Sequence, residues 1–289
     1  LTEIILAKMF ARRQAVRSAR VARPTRRLST RGSNPFKHAL AAGQRQLGLW
    51  VSSGSPQVAE MLAAHSGLDW IVIDMEHAPN DLSSVLHQLH ASQPGPAETV
   101  VRVPAPDQPA LVKTLLDTGV RSILFPMVES ASAAAACVAA TRYPPDGIRG
   151  VMTTARMSGY ATDPEALQEY YRGAADEICV LVQVESPAAV AAIPEIAAVP
   201  GVDGIFIGPS DLAAAMGLIG QVGHPKVQQA VREAIAACKA AGLPAGCISG
   251  DEKACRALLD EHGASFVAVG TDLMLLASRV RSLAGTLKR

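Results

Sequence analysis

Several features that mark common protein classes are missing from these 289 residues. The longest apolar runs fall well short of the ~18 residues that a membrane-spanning helix needs, so we expect a soluble chain with no membrane partner. The five cysteines form no C-x-x-C pair and are odd in number. They are therefore predicted to be small buried residues in a reducing compartment, and not a disulfide or zinc framework. Segment 47–56 has no G-x-G-x-x-G, and no P-loop occurs, which argues against a nucleotide-binding first turn.

Positive charge is scarce outside the first part of the chain. Residues 1–33 carry nine Lys/Arg and one acidic residue, whereas the remainder carries 18 basic and 25 acidic side chains. A mildly acidic body offers no basic stripe for nucleic acid. The Arg-rich, Ser/Thr-bearing leader is typical of a mitochondrial transit peptide; a disordered basic tail or a mispredicted gene start is the alternative. We leave residues 1–33 out of the fold and expect the mitochondrial matrix as the location if the leader is a transit peptide, and otherwise the cytoplasm.

Beyond the leader, apolar strand-like runs alternate regularly with helical patterns. Eight such units predict an α/β fold, a TIM (β/α)8 barrel, as a single domain over residues 34–289. A doubly wound open sheet is the alternative, but it needs fewer strands. The predicted strands are 47–51, 70–74, 99–103, 122–127, 178–184, 202–207, 244–248 and 265–269.

Polar and ionisable side chains gather where the predicted strands end. In a TIM barrel the active-site groups project from the C-terminal ends of the strands. For one strand alone, solvated loop residues would explain the pattern equally well, but the pattern recurs around the barrel and favours an active site. The residues at these ends are Trp50, Asp74, Glu76, His77, Arg102, Gln183, Glu185 and Asp211.

Two carboxylates on neighbouring strand ends, Glu185 and Asp211, could share one hard cation such as Mg²⁺ or Mn²⁺ and leave other positions for water and substrate. Helix capping is the equally weighted alternative, because a helical pattern follows each residue. No set of Cys and His has the spacing of a zinc site, which favours oxygen ligands. The turn 208–211 would also offer free backbone N–H groups to an anionic part of a substrate.

Arg102 and His77 are candidates for charge stabilisation and proton transfer. Arg102 either forms a salt bridge to one of the carboxylates or stabilises an oxyanion or enolate. His77 follows Asp74 by three residues, so that carboxylate could hold its imidazole as a general base; a lone histidine is more often structural or exposed. No lysine ends a predicted strand, which argues against Schiff-base chemistry.

Taken together, ordered motifs from Gly48 to the C-terminus resemble the HpcH/HpaI aldolase family. The leader lies outside this resemblance. The segments that carry it are 48–50, 73–80 (IDMEHAPN), 115–119, 142–150 (RYPPDGIRG), 182–185, 201–212 (GVDGIFIGPSDL) and 266–270.

The resemblance implies a divalent-metal-dependent (class II) pyruvate aldolase that uses Mg²⁺, Mn²⁺ or Co²⁺. Such an enzyme cleaves a 4-hydroxy-2-oxo acid reversibly to pyruvate and an aldehyde. It also implies a homo-oligomer, a trimer or a hexamer of paired trimers, in which the last helix is exchanged between subunits. By the same resemblance, Glu185 and Asp211 bind the metal, Arg102 stabilises the enolate oxygen, and an Asp74–His77 pair handles the protons.

Further roles follow from the same resemblance. Gln183 and Trp50 would line the pocket, while Asp117 would either support the site from behind or lie at a subunit contact. Glu76 would support the catalytic residues. The substrate carboxylate would be held by the turn at Gly208, Pro209, Ser210 and Asp211.

The sequence departs from the family pattern at two points: Met75 stands where the family often has glycine, and the segment 102–117 is one residue longer. Both leave the core chemistry intact and bear on substrate fit. An oxaloacetate decarboxylase, or another enzyme that uses a pyruvate enolate, is the alternative within enzymes. A non-catalytic pyruvate- and metal-binding or assembly module is the alternative outside them. We expect loops at the barrel mouth, notably 152–160, and a neighbouring subunit to select the aldehyde.

Overall fold

The computed structural model describes residues 33–288, so the predicted transit peptide, up to residue 32, lies outside the described residues. Eight parallel strands close into a barrel in chain order, and the last strand pairs with the first. This confirms the predicted TIM barrel. The strands are β1 Gln46–Val51, β2 Trp70–Asp74, β3 Glu98–Arg102, β4 Ser122–Phe125, β5 Cys179–Val184, β6 Gly204–Ile207, β7 Ala245–Ile248 and β8 Phe266–Thr271.

Helices follow the strands and run back along the outside of the barrel. Proline stands in the first turn of many of them, where its missing N–H costs nothing. The helices are α1 Pro35–Ala41, α2 Pro56–His65, α3 Leu82–Ser92, α4 Pro109–Asp117, α5 Ala131–Thr141, α6 Pro164–Glu177, α7 Pro187–Ala191, α8 Ile193–Ala197, α9 Pro209–Ala215, α10 Pro225–Ala240, α11 Glu252–Arg256 and α12 Asp272–Leu287. A 3₁₀ helix spans Arg156–Ala161, and a π-helical turn, Ala257–Glu261, extends α11.

The elements predicted from the sequence differ from the structure mainly where a break in the backbone leaves no trace in the hydrophobic pattern. The segment that follows β5 forms two short helices, α7 and α8, because Ala192 and Pro194 interrupt it. The connection between β6 and α10 contains the short helix α9. β4 ends at Phe125, two residues early, because Pro126 cannot donate to the sheet and Met127 has a left-handed backbone (φ 50°).

Two-residue periodicity decides which side chains enter the barrel. In β2, Trp70 and Val72 belong to the cluster inside the barrel, whereas Ile71 and Ile73 pack outward against the helices. The same alternation carries Asp74, at the end of β2, to the inner face. Polar residues at the C-terminal ends of the strands are therefore directed into one opening.

Large aromatic rings fill the barrel interior. Neighbouring ring centroids lie 5.0 to 6.5 Å apart. Gly48 makes room for one of them, since a Cβ atom there would lie 2.2 Å from the ring of Trp70. The five rings belong to Phe36, Trp50, Trp70, Phe206 and Phe266.

Helix α1 closes the N-terminal end of the barrel with Phe36 and Leu40, which are 1% and 2% exposed. Asn34 fixes the start of this helix. Its Oδ1 accepts a hydrogen bond from the Lys37 N–H (3.1 Å), and its Nδ2 donates to Ser122 Oγ at the base of β4 (2.9 Å). The closed end is therefore a packed plug, and the opposite end remains for the site.

The segment between α5 and α6 also lies at the N-terminal end. Helices of a barrel run antiparallel to its strands, so α4 and α5 end there. Arg156 Nη1 donates to the carbonyl of Thr118, just past α4 (2.7 Å), and Arg149 Nη2 donates to Asp117 Oδ1 (2.9 Å). The expectation that 152–160 forms the mouth above this chain's own site is therefore wrong.

The last helix, α12, has no buried residue. Its apolar side chains are exposed to solvent in this chain: Leu273, Met274, Leu275, Leu276, Val280, Leu283 and Leu287. Within residues 33–288, no helix combines the length and hydropathy that crossing a bilayer requires.

Candidate active site

Arg102 and Asp74 form a buried pair at the C-terminal ends of two adjacent strands. Their Cα atoms are partners in the β2–β3 register. Arg102 Nε donates to Asp74 Oδ1 (2.8 Å) and Nη2 to Oδ2 (2.7 Å), and the two side chains are only 8% and 3% exposed. Burial alone would lower the pKa of Arg102, but the hydrogen bonds and charge of Asp74, with Glu76 and Glu185, raise it overall. Arg102 is therefore a fixed positive charge.

Glu76 contacts the guanidinium nitrogen that Asp74 leaves free. Its Oε2 lies 2.6 Å from Arg102 Nη1, and its backbone N–H donates to Asp74 Oδ1 (3.0 Å). Partial burial raises the pKa of Glu76, although the charges of Arg102 and His77 act in the opposite direction. Glu76 therefore contacts Arg102 directly.

The predicted Asp74–His77 contact is wrong. Asp74 points into the barrel, where both of its carboxylate oxygens accept from Arg102, whereas His77 lies beyond the strand end with a side chain that is 65% exposed. The acidic oxygen beside His77 is Glu76 Oε2, 3.9 Å from its Nε2. Asn80 Nδ2 bonds the Asp74 carbonyl (2.7 Å) and fixes the turn that separates the two side chains.

Glu185 and Asp211 are brought together at the same end of the barrel, where their carboxyl groups lie close enough to interact directly. Glu185 is 3% exposed and follows β5, and Asp211 lies in the first turn of α9 after β6. The pKa of Glu185 is raised to about 7: burial has the largest effect and Asp211 adds to it, while hydrogen bonds from the Met127 N–H and from Gln183 act against the shift.

The position of the Glu185 carboxylate depends on Gly208. A Cβ atom at Gly208 would lie 2.4 Å from Glu185 Oε2 and 2.9 Å from Gln183 Nε2. Gln183 is 3% exposed, and its Oε1 is buried without a hydrogen-bond partner. The other oxygen of Glu185, Oε1, accepts from the Met127 N–H (2.9 Å). Sequence reasoning missed Met127, because a positive φ at a non-glycine residue leaves no sign in the sequence.

The remaining predicted site residues lie in different places. Trp50 is 5% exposed, and the centroid of its ring is 5.4 Å from Arg102 Cζ, so it forms a floor beneath the arginine. Pro209 is buried and Ser210 exposed at the start of α9. Asp117 ends α4 at the opposite end of the barrel and bonds Arg149. Asp117 therefore cannot support the site of its own chain, and its place at a subunit contact stays a prediction.

Within residues 33–288, no cluster of three or more His, Cys, Asp or Glu side chains has metal-binding geometry. A cation at Glu185 and Asp211 would therefore take the rest of its ligands from water or substrate. That arrangement suits a hard cation such as Mg²⁺, which keeps several waters and is bound through one or two carboxylates.

The family model of the HpcH/HpaI aldolase/citrate lyase family matches residues 46–278. The chain belongs to this family. The resemblance drawn from the ordered motifs is therefore confirmed, and with it an enzyme, an aldolase of the lyase class.

Named members of the family align with this chain over nearly the whole barrel. A hydroxypyruvate/pyruvate aldolase of Cupriavidus necator is 49% identical over 257 residues, 89% of this chain and 93% of that protein. A 5-keto-4-deoxy-D-glucarate aldolase of Salmonella arizonae is 45% identical over 256 residues, 89% of this chain and 97% of that protein. The crystal structure of a family protein from Burkholderia cenocepacia matches with a TM-score of 0.83 and 40% identity, over 89% of this chain and 100% of that one.

Proposed function

We propose that this aldolase holds a divalent cation between Glu185 and Asp211 and cleaves a 4-hydroxy-2-oxo acid reversibly to pyruvate and an aldehyde. The observation that carries the proposal is the contact between these two carboxyl groups at one end of the barrel. Two acids held in contact repel each other unless a proton or a cation lies between them. The relatives named as pyruvate and sugar-acid aldolases support the same substrate class.

The chemistry of the donors fits a hard cation. Glu185 and Asp211 offer oxygen ligands, and Gln183 Oε1 is a buried acceptor without a protein donor. Mg²⁺, Mn²⁺ and Co²⁺ all accept such a set, and two protein carboxylates leave coordination positions for a 2-oxo acid. When bound, the cation would supply Lewis-acid polarisation of the oxo group of the substrate.

Arg102 stabilises the charge that develops on the oxo oxygen during cleavage. Asp74 holds Nε and one hydrogen of Nη2, and Glu76 contacts Nη1 (2.6 Å), so the second hydrogens of Nη1 and Nη2 are those left to donate to that oxygen. Because the guanidinium is held before substrate arrives, little reorganisation accompanies the reaction. Asp74 acts by orienting Arg102, and the first N–H groups of α9, at Ser210 and Asp211, hold the carboxylate of the substrate.

His77 moves the protons. In the cleavage direction a ring nitrogen accepts the proton of the 4-hydroxyl group while the C3–C4 bond breaks, and the proton then returns to C3 of the pyruvate enolate. The exposure of His77 supports this role, because its imidazole reaches the opening and its Nε2 lies 3.9 Å from Glu76 Oε2, too far for a strong hydrogen bond. Glu76, between Arg102 and His77, orients both.

A screen of pyruvate release across 4-hydroxy-2-oxo acids, with Mg²⁺, Mn²⁺ or Co²⁺ added back after chelation, tests the proposal. We expect EDTA to abolish activity, and Glu185→Ala and Asp211→Ala to lose both Mn²⁺ binding and turnover. Glu195→Ala, which removes an exposed acid from α8, is the matched control and should behave as the wild type. Activity that survives chelation and both substitutions would falsify the metal role.

The same assay separates the alternatives. Faster pyruvate formation from oxaloacetate than from every hydroxy-oxo acid would identify a decarboxylase that uses the same enolate. Calorimetric binding of pyruvate and Mn²⁺ without turnover of any substrate would identify a binding module.

A homo-oligomer is part of the proposal. The exposed apolar residues of α12 support it, because a 16-residue helix without a buried side chain gains little by packing on its own chain. We propose that α12 packs on a second copy, in a trimer or a hexamer. Light scattering at micromolar concentration tests this, and a monomer would contradict it.

A further inference from the structure

We propose that Met127 is a positioning residue for Glu185, and that its left-handed backbone conformation serves to aim its N–H at that carboxylate. The inference rests on the proposed role of Glu185 in binding the cation. It concerns the connection that follows β4, a part of the barrel that none of the sequence motifs covers.

The first observation is conformational. Met127 has φ 50°, and among residues 33–288 only Tyr160 and Ala161 are other non-glycine residues with positive φ. A residue with a Cβ atom adopts this region at a cost, so the surrounding structure must hold it there. Burial of the side chain does not explain it, because Met127 is 48% exposed.

The second observation is the use made of the backbone. The N–H of Met127 donates to Glu185 Oε1 (2.9 Å), and the N–H of the next residue, Val128, donates to the carbonyl of Gln183 (3.0 Å). Two successive N–H groups thus point from the end of β4 to the end of β5. Because Pro126, just before them, has no N–H, Met127 is the first residue after β4 that can donate.

The third observation is that Glu185 is held from other directions as well. Gly208 lets Oε2 approach its backbone, and the Gln183 amide bonds the same carboxylate. With Oε1 on the Met127 N–H, the carboxylate is fixed beside Asp211. Without that hydrogen bond, Oε1 would be a buried acceptor with one partner fewer, and the carboxylate could rotate away from Asp211.

Substitutions at Met127 separate the backbone from the side chain. Met127→Gly removes the side chain but keeps the N–H and favours positive φ, so Mn²⁺ affinity should stay close to wild type. Met127→Ile keeps a large apolar side chain, but its β-branch disfavours positive φ and should rotate the N–H away. We expect its Kd for Mn²⁺ to rise about 10- to 100-fold, the effect typical of losing a group that orients a ligand.

Binding is read from the electron paramagnetic resonance signal of free Mn²⁺, without turnover, and folding from urea unfolding in the absence of metal. Met152→Ile is the matched control. Met152 has the same exposed fraction, 48%, and belongs to the segment at the other end of the barrel, where its carbonyl accepts from the hydroxyl of Tyr171. If Met127→Ile does not fold, replacing the Met127 amide by an ester removes the N–H alone and should weaken Mn²⁺ binding by the same factor.

Wild-type Mn²⁺ affinity in Met127→Ile or in the ester variant would overturn the inference. So would a loss of affinity in Met127→Gly that equals the loss in Met127→Ile, because the side chain would then be responsible. Failure of the wild-type protein to bind Mn²⁺ would instead contradict the proposed metal site itself.

Discussion

Both ends of the barrel hold a buried arginine between a carboxylate and an aromatic ring. At the N-terminal end, Arg149 donates to Asp117 (2.9 Å) and to the hydroxyl of Tyr170 (2.9 Å), and its Cζ lies 4.5 Å from the ring centroid of Tyr143. At the C-terminal end, Arg102 donates twice to Asp74 above the Trp50 ring. Local geometry alone would therefore not tell which arginine is functional.

The two ends differ in the balance of charge around the arginine. Arg149 faces one carboxylate, that of Asp117. Arg102 lies among the charges of Asp74, Glu76 and Glu185, and Asp211 joins them through its contact with Glu185. A cluster of four acids around one guanidinium attracts a cation, whereas a balanced pair does not. The excess of acid therefore distinguishes the site from a structural ion pair.

The largest expected effect comes from exchanging each arginine for lysine. Arg102→Lys keeps a charge but loses the planar fork that bonds Asp74 and presents Nη1, so kcat should fall by about 100- to 1,000-fold. Arg149→Lys loses a similar fork and should mainly lower the free energy of unfolding. Steady-state pyruvate release and urea unfolding measure the two.

This contrast can also fail in an informative way. A loss of kcat in folded Arg149→Lys that matches the loss in Arg102→Lys would connect Asp117 with a neighbouring subunit's site. Equal and small losses in both variants would mean that Arg102, too, is only structural.

A smaller effect is expected from filling two crowded glycine positions. Gly208→Ala would force a Cβ atom against Glu185 Oε2, so Mn²⁺ affinity should fall about 10- to 100-fold. Gly48→Ala would crowd the Trp70 ring at 2.2 Å in mid-barrel and should destabilise the fold by about 1–3 kcal/mol, with metal affinity unchanged in the folded protein. Calorimetric titration with Mn²⁺ checks both variants. Equal affinities in the two would show that Gly208 serves packing alone.

The pKa of Glu185, raised to about 7, gives the C-terminal end of the barrel a pH dependence. Only the ionised carboxylate binds a cation, so Mn²⁺ affinity should fall about tenfold for each pH unit below 7. The sign for stability is opposite. Without metal, the folded chain holds this proton more tightly than the unfolded chain does, so the stabilisation is complete below the ordinary carboxyl pKa and disappears as pH rises through 7.

Glu185→Gln is the control for this prediction. It should remove the component of apo stability that changes between pH 4.5 and 7, at most about 3 kcal/mol. A pH profile of unfolding that is the same in wild type and Glu185→Gln would contradict a raised pKa at this residue.

The barrel and the end that carries its site could be predicted from the sequence, because both depend on patterns that repeat. Alternating apolar runs predict eight strands, and the residues at the predicted strand ends, among them Asp74, Arg102 and Gln183, do lie at one end of the barrel. Which carboxylate each basic side chain contacts could not be predicted. Three-residue spacing suggested Asp74 with His77, but inward direction in the strand brought Asp74 to Arg102, on a strand 28 positions away.

Connections were the other failure, again for a physical reason. Segment 142–161 contains no strand, and a long irregular passage can lie at either end of a barrel. The segment lies at the N-terminal end because α5, the helix before it, runs antiparallel to the strands and ends there. The backbone of Met127 was equally inaccessible, because its conformation is imposed by contacts with β5 and not by local preference.

The smallest expected effect belongs to the N-terminal plug and tests whether the two ends are independent. Asn34→Ala removes the cap of α1 and the hydrogen bond to Ser122, so the free energy of unfolding should fall by about 1–2 kcal/mol. Mn²⁺ affinity and kcat should not change, because the aromatic layer of Trp70 and Phe266 lies between Asn34 and the acids of the site. Urea unfolding and Mn²⁺ titration of the same preparation measure both. A fall in metal affinity would mean that this layer transmits strain along the barrel. The acids at the C-terminal end would then depend on the packing of the plug at the N-terminal end.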